Sequence, residues 1–311
     1  MKKVRIIYNP TAGREIFKKE LPKVLERCEK AGFETSTHAT VGAGDAALAA
    51  QLAAENNFDI IIVAGGDGTI NEVVHGLANL EYRPKVGVIP AGTTNDFARA
   101  LSIPLKIQDA LSIILDKHSI YLDIGRVNDQ HFINIAGGGD LTELTYEVPS
   151  RMKAIIGQLA YYMKGIEMLP SLKPVNTRIE YDGKVFEGEI MLFLVANTNS
   201  VAGFEKLAPN ALINDGYFDL LILKKTNLAE FLRIATAALR GTHLEDEQII
   251  YTQAKKIEVT PDNHMQLNLD GEYGGLFPGV IENLQEHINF FVPKEFIDKT
   301  RELENKLNET F

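Results

Sequence analysis

Length, composition and charge already exclude several classes of protein. The chain has 311 residues, of which 45% are hydrophobic, 24% are charged and one is a cysteine, so we expect a two-domain globular protein with neither an intramolecular disulfide nor a cysteine-cluster metal site. Its 42 acidic and 32 basic residues give a formal net charge of −10, which argues against a general nucleic-acid binder and predicts repulsion from an anionic membrane. No apolar run approaches the ~20 residues of a membrane-spanning helix, so the cytoplasm is the expected compartment.

The first part of the chain alternates between two periodicities. Short apolar or alternating runs predict strands at Val4–Tyr8, Phe33–Ala39, Asp59–Ala64 and Lys85–Ile89. Helical spacing between and after them predicts helices at Ile16–Ala31, Asp45–Glu55, Ile70–Leu80, Asn95–Leu101 and Asp109–Leu115. Strand–helix alternation at this length is typical of a doubly wound, mostly parallel α/β sheet.

Strand patterns dominate the rest of the chain. They occur at Tyr121–Val127, Gln130–Ala136, Val175–Tyr181, Val185–Asn197, Tyr217–Leu223, Lys256–Thr260, Met265–Leu269 and Ile288–Val292. Asp182-Gly183 predicts a hairpin turn, and helical patterns appear at Arg151–Leu169, Asn227–Arg240 and Lys294–Leu307. We expect an α/β domain over residues 1–124 and a mostly antiparallel, β-rich domain over 125–293, with the helix 294–311 packing back on the first domain.

The strongest functional signal is the segment Gly65–Thr69, of sequence GGDGT, between a buried strand and a helix. Glycines let the backbone approach a ligand closely, and the N-terminus of a helix offers free N–H groups to phosphate. A carboxylate such as that of Asp67 repels phosphates unless a divalent cation lies between them. Asp67 is therefore interpreted as a residue that binds Mg²⁺, either directly or through a water molecule. The alternative is a glycine-rich turn with Asp67 as its N-cap.

Two other loops follow strands of the same sheet, at the end where open α/β sheets bind ligands. Asn9–Arg14 has the composition of a phosphate turn, although a plain connecting loop would look similar. In the second loop Thr94 is an N-cap candidate, and Asp96 either places an acidic charge in the first helical turn or joins Asp67 in a magnesium–water network. Arg99 would then lie one turn further on, near the transferred phosphate.

Carboxylates in the second half of the chain suggest an acid–base site. Met265, Leu267 and Leu269 alternate with polar residues, and continuing this period of two puts Asp270 and Glu272 on one strand face, roughly 7 Å apart. Glu272 is the expected base for a hydroxyl nucleophile, with Asp270 holding its environment or a metal; the alternative is two solvated turn residues. Asp123 alternates with apolar neighbours, and a position in a cleft between the domains is expected for it.

These segments together resemble a known superfamily. GGDGT followed by Asn71-Glu72 resembles diacylglycerol kinases, sphingosine kinases and NAD kinases. The lipid-kinase branch, and within it the soluble bacterial diacylglycerol kinases, is indicated by further matching segments: Asn9–Arg14, Pro90–Arg99, Tyr161–Gly165, Ala202–Phe204, Asp215–Phe218 and Asp270–Gly275. NAD kinases lack the first two of these, which argues against that branch.

The resemblance implies a role for each matching residue. Nucleotide binding falls to Asn9, Pro10, Thr11, Ala12, Gly13, Arg14, Thr40, Gly66, Asp67, Gly68, Thr69, Ile70, Asn71, Glu72 and Thr93. Catalysis falls to Glu272, Asp67, Asp96, Asp270, Asp123, Arg99 and Lys164. A structural magnesium is implied at Asp215 and the backbone carbonyls of Leu212 and Tyr217, where the residues themselves predict only a turn.

The expected activity is therefore that of a lipid kinase that uses ATP and Mg²⁺. The expected acceptor is the free hydroxyl of diacylglycerol and the product phosphatidic acid; undecaprenol and phosphatidylglycerol are alternative acceptors. A nucleotide- or lipid-binding regulator without turnover is the rival interpretation, and Asp67, Asp96 and Glu272 speak against it because binding alone requires no base. The active site is expected in the inter-domain cleft. Transient contact with the inner face of the membrane, through the apolar stripe of Arg151–Leu169, is also expected, and a homodimer is left open.

Overall fold

The computed structural model describes residues 1–139, 173–199, 207–209 and 211–310. It divides into two compact units: unit 1 comprises Met1–Ile124 and Gln285–Phe311, and unit 2 comprises Gly125–Leu284. Residues 285–293, which the sequence interpretation assigns to the second domain, thus belong to unit 1 together with the C-terminal helix. Lys164, the rest of the predicted helix Arg151–Leu169, and the segment Ala202–Phe204 lie outside the described residues.

Unit 1 contains a parallel sheet covered by helices. Its strands are β1 (Lys2–Tyr8), β2 (Phe33–Ala39), β3 (Ile60–Gly65) and β4 (Lys85–Pro90), in the order β4-β3-β1-β2, with every one of these pairings parallel. The helices are α1 (Ile16–Lys30), α2 (Asp45–Glu55), α3 (Asp67–Ala78), α4 (Asp96–Ala100) and α5 (Ile107–Asp116). All six residues of β3 are buried, which explains its continuous apolar run and confirms the predicted fold class for this half.

Unit 2 is built from antiparallel strands. In chain order they are β5 (Ser119–Val127, which starts in unit 1), β6 (Gln130–Phe132), β7 (Ile135–Gly138), β8 (Val175–Tyr181), β9 (Lys184–Ala196), β10 (Phe218–Lys224), β11 (Ile249–Ala254), β12 (Lys256–Pro261), β13 (Gln266–Leu269), β14 (Glu272–Leu276) and β15 (Gly279–Phe291, which ends in unit 1). Their order is β14-β13-β7-β9-β8-β12-β15, with β10 beside β9 and β11 beside β10. The described pairings inside unit 2 are antiparallel, as predicted.

The core of unit 2 explains why its strands alternate in sequence. Phe132, Phe193 and Phe218 are fully buried in one apolar cluster, and the burial pattern of β8 alternates residue by residue. Strands with one face on a core and one face in water give this period of two.

Two further described helices follow β10 and β15 along the chain. In α6 (Leu228–Arg240), Asn227 accepts a hydrogen bond from the Glu230 backbone N–H, and the Glu230 carboxylate accepts one from the Asn227 N–H. This reciprocal capping box fixes the start of the helix, and Gly241 ends it with φ +77°. The polar helix α7 (Lys294–Thr310) follows β15. Among the described residues, no helix is both long enough and apolar enough to cross a membrane.

Candidate active site

Three loops of unit 1 meet at one edge of the parallel sheet. They follow β1, β3 and β4, whose carboxyl ends are adjacent because the strands are parallel neighbours. A Cβ atom on Gly92 would lie 2.4 Å from the Gly66 Cα atom, and one on Gly13 would lie 2.6 Å from the Ala91 carbonyl oxygen. The glycines are therefore required because the loops pack backbone against backbone, and Gly13 also has φ +55°, which favours glycine.

A pocket of about 310 Å³ opens beside these loops. Its size is within the range of small-molecule sites. It is lined by Asn9, Pro10, Thr11, Thr40, Val41, Gly42, Ala43, Ala46, Thr69 and Glu72. Six of these residues are nucleotide-binding candidates from the sequence, and the fold brings them together from β1, β2 and α3.

The loop after β1 is held in shape by its own side chain. The Asn9 Oδ1 atom accepts hydrogen bonds from the Thr11 N–H at 3.0 Å and the Thr11 hydroxyl at 2.9 Å. Ala12 and Arg14 continue into a short 3₁₀ turn, Ala12–Glu15. An Asx turn of this kind needs no ligand to form, so the wall of the pocket is preorganised.

The structure gives Asp67 a partner that the sequence interpretation missed. Asp67 is the first residue of α3, whose N-cap is Gly66, so the alternative interpretation of Asp67 as an N-cap is wrong. Its Oδ1 atom accepts from the Phe97 N–H at 3.0 Å, and its Oδ2 atom accepts from the Asp96 N–H at 3.2 Å and the Thr94 hydroxyl at 3.1 Å. The carboxylate therefore caps the neighbouring helix α4.

The loop before α4 is organised around Asn95. Asn95, not Thr94, is the N-cap of α4, with φ +53°, so the capping prediction for Thr94 is wrong. The Asn95 side chain accepts from the Gly92 N–H and donates to the Gly92 carbonyl. Arg99 donates from Nε to the Thr94 carbonyl at 3.0 Å, which ties its side chain back to the same loop. Thr93 is exposed.

The remaining residues of α3 divide between the pocket and the core. Ile70 is fully buried in the apolar core, so only its backbone can face a ligand. Glu72 lines the pocket, and its Oε2 atom accepts from the Ala46 N–H at 3.1 Å. That bond caps α2 just as Asp67 caps α4. Gly68 is exposed, and Thr69 and Asn71 are half-buried.

A pair of titratable residues shapes the opposite wall of the pocket, and the sequence interpretation did not include it. The Asp45 Oδ2 atom lies 3.0 Å from the His38 Nε2 atom and accepts from the Val41 N–H at 2.9 Å. The hydrogen bond from His38, followed by that from Val41, lowers the pKa of the Asp45 carboxyl below its usual value. This pair fixes the loop from Thr40 to Gly44. No motif marks it, because β2 and α2 each look like ordinary elements in sequence.

In unit 2, the segment that carries Glu272 is a hairpin and not a single strand. Strand β13 ends at Leu269, which pairs with Glu272, the first residue of β14. The two residues between them, Asp270 and Gly271, have φ +51° and +88°, the signs of a type I′ turn. The prediction that Asp270 and Glu272 share one strand face is therefore wrong. Asp-Gly between strands is itself a hairpin signal.

Asp270 anchors this turn to the neighbouring chain segment. Its carboxylate accepts from the backbone N–H groups of Ile133, Asn134 and Ile135 at 2.8, 2.8 and 2.9 Å. Its own N–H donates to the Ile135 carbonyl at 3.0 Å. Glu272 is exposed, which leaves its carboxylate accessible from solvent.

Asp123 is a buried residue of β5, and its predicted position in a cleft between the domains stays a prediction. It is 0% exposed, and its Oδ1 atom accepts from the Glu286 N–H at 2.8 Å. Both residues belong to unit 1. This hydrogen bond links β5 to β15.

The segment of the implied structural magnesium forms a turn. The Asp215 Oδ1 atom accepts from the Tyr217 N–H at 2.9 Å, and Gly216 has φ +78°, as the residues themselves predict. Leu212 is buried, and the Lys255 ammonium lies 4.5 Å from the Tyr217 ring centroid. Within the described part of the chain, no three His, Cys, Asp or Glu side chains gather as metal ligands, so a metal here would depend on Asp215 and backbone oxygens.

Comparison with known proteins identifies the family. Residues 3–127 match the diacylglycerol kinase catalytic domain, and residues 143–292 match the YegS C-terminal NAD kinase beta sandwich-like domain. A diacylglycerol kinase from Bacillus subtilis (strain 168) is 64% identical over 296 residues, which cover 95% of this chain and 98% of the relative. The chain belongs to the diacylglycerol kinase family.

Further relatives support the assignment along the whole chain. A diacylglycerol kinase from Staphylococcus aureus (strain JH9) is 54% identical over 298 residues, which cover 96% of this chain and 95% of the relative. The crystal structure of a diacylglycerol kinase from Bacillus anthracis str. Sterne superposes with a TM-score of 0.80 at 32% identity, covering 94% of this chain and 98% of that one. The resemblance to diacylglycerol kinases is confirmed, and the chain is an enzyme, a lipid kinase.

Proposed function

We propose that this lipid kinase transfers the γ-phosphoryl group of ATP to the free hydroxyl of 1,2-diacylglycerol and forms phosphatidic acid. The observation that carries the proposal is the convergence of six predicted nucleotide residues on one pocket of unit 1. The acceptor is inferred from relatives of 64% and 54% identity that are named diacylglycerol kinases. Undecaprenol and phosphatidylglycerol are the alternative acceptors.

The nucleotide is proposed to bind over the three glycine-containing loops. Thr11, Thr40 and Glu72 line the pocket and would contact the nucleoside part. The first turn of α3 would hold phosphate oxygens with its free N–H groups. The complete proposed set is Asn9, Pro10, Thr11, Ala12, Gly13, Arg14, Thr40, Gly66, Asp67, Gly68, Thr69, Ile70, Asn71, Glu72 and Thr93.

The carboxylates of the same loops fit a magnesium ion that is held mainly by phosphates. Mg²⁺ sites of this kind use one or two carboxylates and retain several waters, so no larger acidic cluster is required. Asp67 already accepts three hydrogen bonds, which favours contact through water for Asp67 and assigns the nearer role to Asp96. When bound, the ion would neutralise charge that develops on the phosphates.

Glu272 is the proposed general base. As the lipid oxygen forms its bond to the γ-phosphorus, Glu272 takes the hydroxyl proton, and the bond from phosphorus to the β–γ bridging oxygen breaks to release ADP. A base of this kind typically contributes about 10²–10⁴-fold to the rate. Arg99 and Lys164 are proposed to balance charge on the transferred group. Asp123, which is enclosed, would act by supporting β5.

Further assignments concern a structural metal, the membrane and the oligomeric state. A structural magnesium would use Asp215 with the carbonyls of Leu212 and Tyr217. Reversible contact with the inner face of the membrane is proposed for a cytoplasmic lipid kinase, and assembly as a homodimer is left open.

A radiolabelled-ATP assay tests the proposed reaction. The purified chain would be incubated with diacylglycerol, undecaprenol, phosphatidylglycerol or NAD, the lipids in mixed micelles, with and without Mg²⁺. We expect labelled phosphatidic acid, formed only with Mg²⁺. Preferential labelling of another lipid alcohol would replace the acceptor, and labelled NADP without phosphatidic acid would overturn the proposal.

A further inference from the structure

The hairpin that carries Glu272 lies at the end of the sheet order in unit 2. Among the described strands, β14 pairs with β13 and is the last strand of the path. An edge strand forms a backbone ladder with one neighbouring strand, and the Gln130 side chain also donates to the Gly274 carbonyl at 2.7 Å. The turn that joins β14 to β13 lies directly before the first residue of β14 and therefore has a large share in fixing it. That first residue is Glu272.

We propose that Asp270 is a positioning residue that places Glu272 through a buried network, and that it is not a magnesium ligand. This inference rests on the proposed role of Glu272 as the base. The network, called the Asp270 clamp, consists of the Asp270 carboxylate, the backbone of residues 133–135, and the side chains of Asn134, Thr198 and Asn268.

The geometry of the Asp270 carboxylate indicates that it anchors the turn and does not bind a metal. Three consecutive backbone N–H groups point at it, from Ile133, Asn134 and Ile135, all within 2.9 Å. A carboxylate offers about four lone-pair directions, so three are already in use. A cation beside the same oxygens would face three positively polarised N–H groups, which makes this carboxylate a poor magnesium ligand and a strong anchor for the turn.

Buried side chains around Asp270 hold the same turn in place. The Asn134 Oδ1 atom accepts from the Thr198 hydroxyl at 3.2 Å, and the Asn268 Oδ1 atom accepts from the Gly271 N–H at 2.9 Å. Asn134, Thr198 and Asn268 are 4%, 2% and 2% exposed. Hydrogen bonds at such low exposure are rigid, because breaking one leaves a buried polar group without a partner. The turn is therefore fixed from both of its sides.

The chain contains a matched turn away from Glu272. Asp182-Gly183 also forms a two-residue turn, with φ +45° and +81°, between β8 and β9. The Asp182 carboxylate accepts from the Lys255 and Lys256 N–H groups at 2.9 and 3.1 Å. Asp182 thus does the same anchoring in a hairpin that carries no proposed reactive group.

Asp270→Asn and Asp182→Asn separate positioning from general stability. Both replacements keep the side-chain size but offer an amide N–H₂ to groups that are themselves donors, so both should lower the melting temperature. Asp270→Asn should lower it by more, because this half-buried carboxylate accepts three N–H groups and the exposed Asp182 accepts two. Below both melting transitions, we expect Asp182→Asn to keep kcat within about twofold of the parent. We expect Asp270→Asn to lose about 10- to 100-fold in kcat, as an ångström-scale misplacement of a catalytic group does, with the KM for ATP unchanged.

The Mg²⁺ dependence distinguishes the clamp from a metal site. Asp270→Asn should need the same Mg²⁺ concentration as the parent for half-maximal turnover, and a several-fold increase would overturn the inference in favour of a ligand. Equal kcat in folded Asp270→Asn and Asp182→Asn would also overturn it. If Asp270→Asn is too unstable to assay, Thr198→Val removes only the outer hydroxyl of the clamp. We expect it to lower kcat about threefold by the same misplacement, and an unchanged kcat in that variant counts against the clamp.

Glu272→Gln, measured in the same series, distinguishes the hypothesis that Glu272 is the base from the hypothesis that Asp270 positions it. If its kcat matches the parent, Glu272 is not the base and the proposed mechanism fails. If its kcat collapses while that of Asp270→Asn does not, the mechanism stands and only the positioning inference fails.

Discussion

The two Asp-Gly hairpins of unit 2 have the same local structure and different surroundings. In each, aspartate and glycine have positive φ, and the aspartate carboxylate accepts backbone N–H groups from a neighbouring segment, two for Asp182 and three for Asp270. Asp182 is exposed and joins two strands that each have further partners, whereas Asp270 is half-buried beside an edge strand. The comparison teaches that a turn motif fixes local geometry, while its place in the sheet decides how buried the turn is and which chain segments it contacts.

Replacing the residue that follows the glycine of each turn should give the largest difference in kcat between the two hairpins. Glu272→Gln keeps side-chain size but cannot accept the proton, so kcat should fall by about 10²–10⁴-fold. ATP affinity should not change, because the proposed nucleotide loops belong to unit 1. Turnover in mixed micelles and calorimetric ATP binding, measured side by side, check this. Lys184→Gln alters the equivalent position of the other hairpin and should turn over like the parent; equal rates for both variants would remove Glu272 from the mechanism.

Asp67 extends the comparison to a carboxylate anchor in unit 1. Asp67→Ala should reduce turnover by about 10²–10³-fold, the usual cost of losing one electrostatic element of a site. Because three hydrogen bonds to the α4 region are also lost, the free energy of unfolding should fall by about 1–2 kcal/mol.

Urea denaturation and the lipid assay measure the two effects of Asp67→Ala. Asn227→Ala, which removes the cap of α6, is the control and should lose about 1 kcal/mol without loss of turnover. Unchanged stability in Asp67→Ala would show that its hydrogen bonds to α4 contribute nothing.

Asp219 is a buried carboxyl of a different kind, because its hydrogen bonds from Tyr251 and Gln253 come from side chains, whereas the Asp270 carboxylate accepts backbone N–H groups. Burial raises its pKa to about 6 despite the hydrogen bonds from Tyr251 and Gln253. Because the folded state then holds the proton more tightly than the unfolded chain, this group should lower stability as pH rises from about 4 to about 6, by about 2–3 kcal/mol in all. Asp219→Asn should remove this contribution to the pH dependence of stability.

Unfolding free energies of the parent and Asp219→Asn at pH 4.5 and pH 7 test whether Asp219 lowers stability as pH rises. At pH 7 the variant should be the more stable of the two, since Asn carries no charge to bury. A parent that gains stability relative to the variant between these pH values would contradict the raised pKa.

The glycines of the two turns give the smallest expected effects. Gly183 and Gly271 have φ +81° and +88°, and an added Cβ would meet no atom within 4 Å at either position. Each Gly→Ala change should therefore cost about 1–2 kcal/mol from backbone conformation alone. Thermal melts should show equal losses, and only Gly271→Ala should also lower kcat. A loss of kcat in Gly183→Ala would break the proposed division between the hairpins.

Much of the fold could be predicted because its signals are local. Continuous apolar runs predicted the buried parallel strands, and Asp182-Gly183 predicted its hairpin. Some elements were missed for compositional reasons: β14 contains two glycines, which are uncommon in strands, and β15 begins with mixed polar residues. Strand β11 was missed although Ile249–Ala254 has the composition of a strand. The Asp270 hairpin was misread because alternating residues fit both one long strand and two strands joined by a two-residue turn.

The sequence by itself determined the family, the fold class and the identity of most candidate site residues, because glycine loops, apolar periodicity and family segments depend on neighbours along the chain. Tertiary structure decided what the carboxylates do. Asp67 meets the start of α4 because the order β4-β3-β1 puts their loops side by side, and Asp270 meets residues 133–135 because β13 pairs with β7. Hydrogen-bond partners more than 100 residues apart, such as Asp270 and Asn134, follow from strand pairing, and no local pattern encodes that pairing.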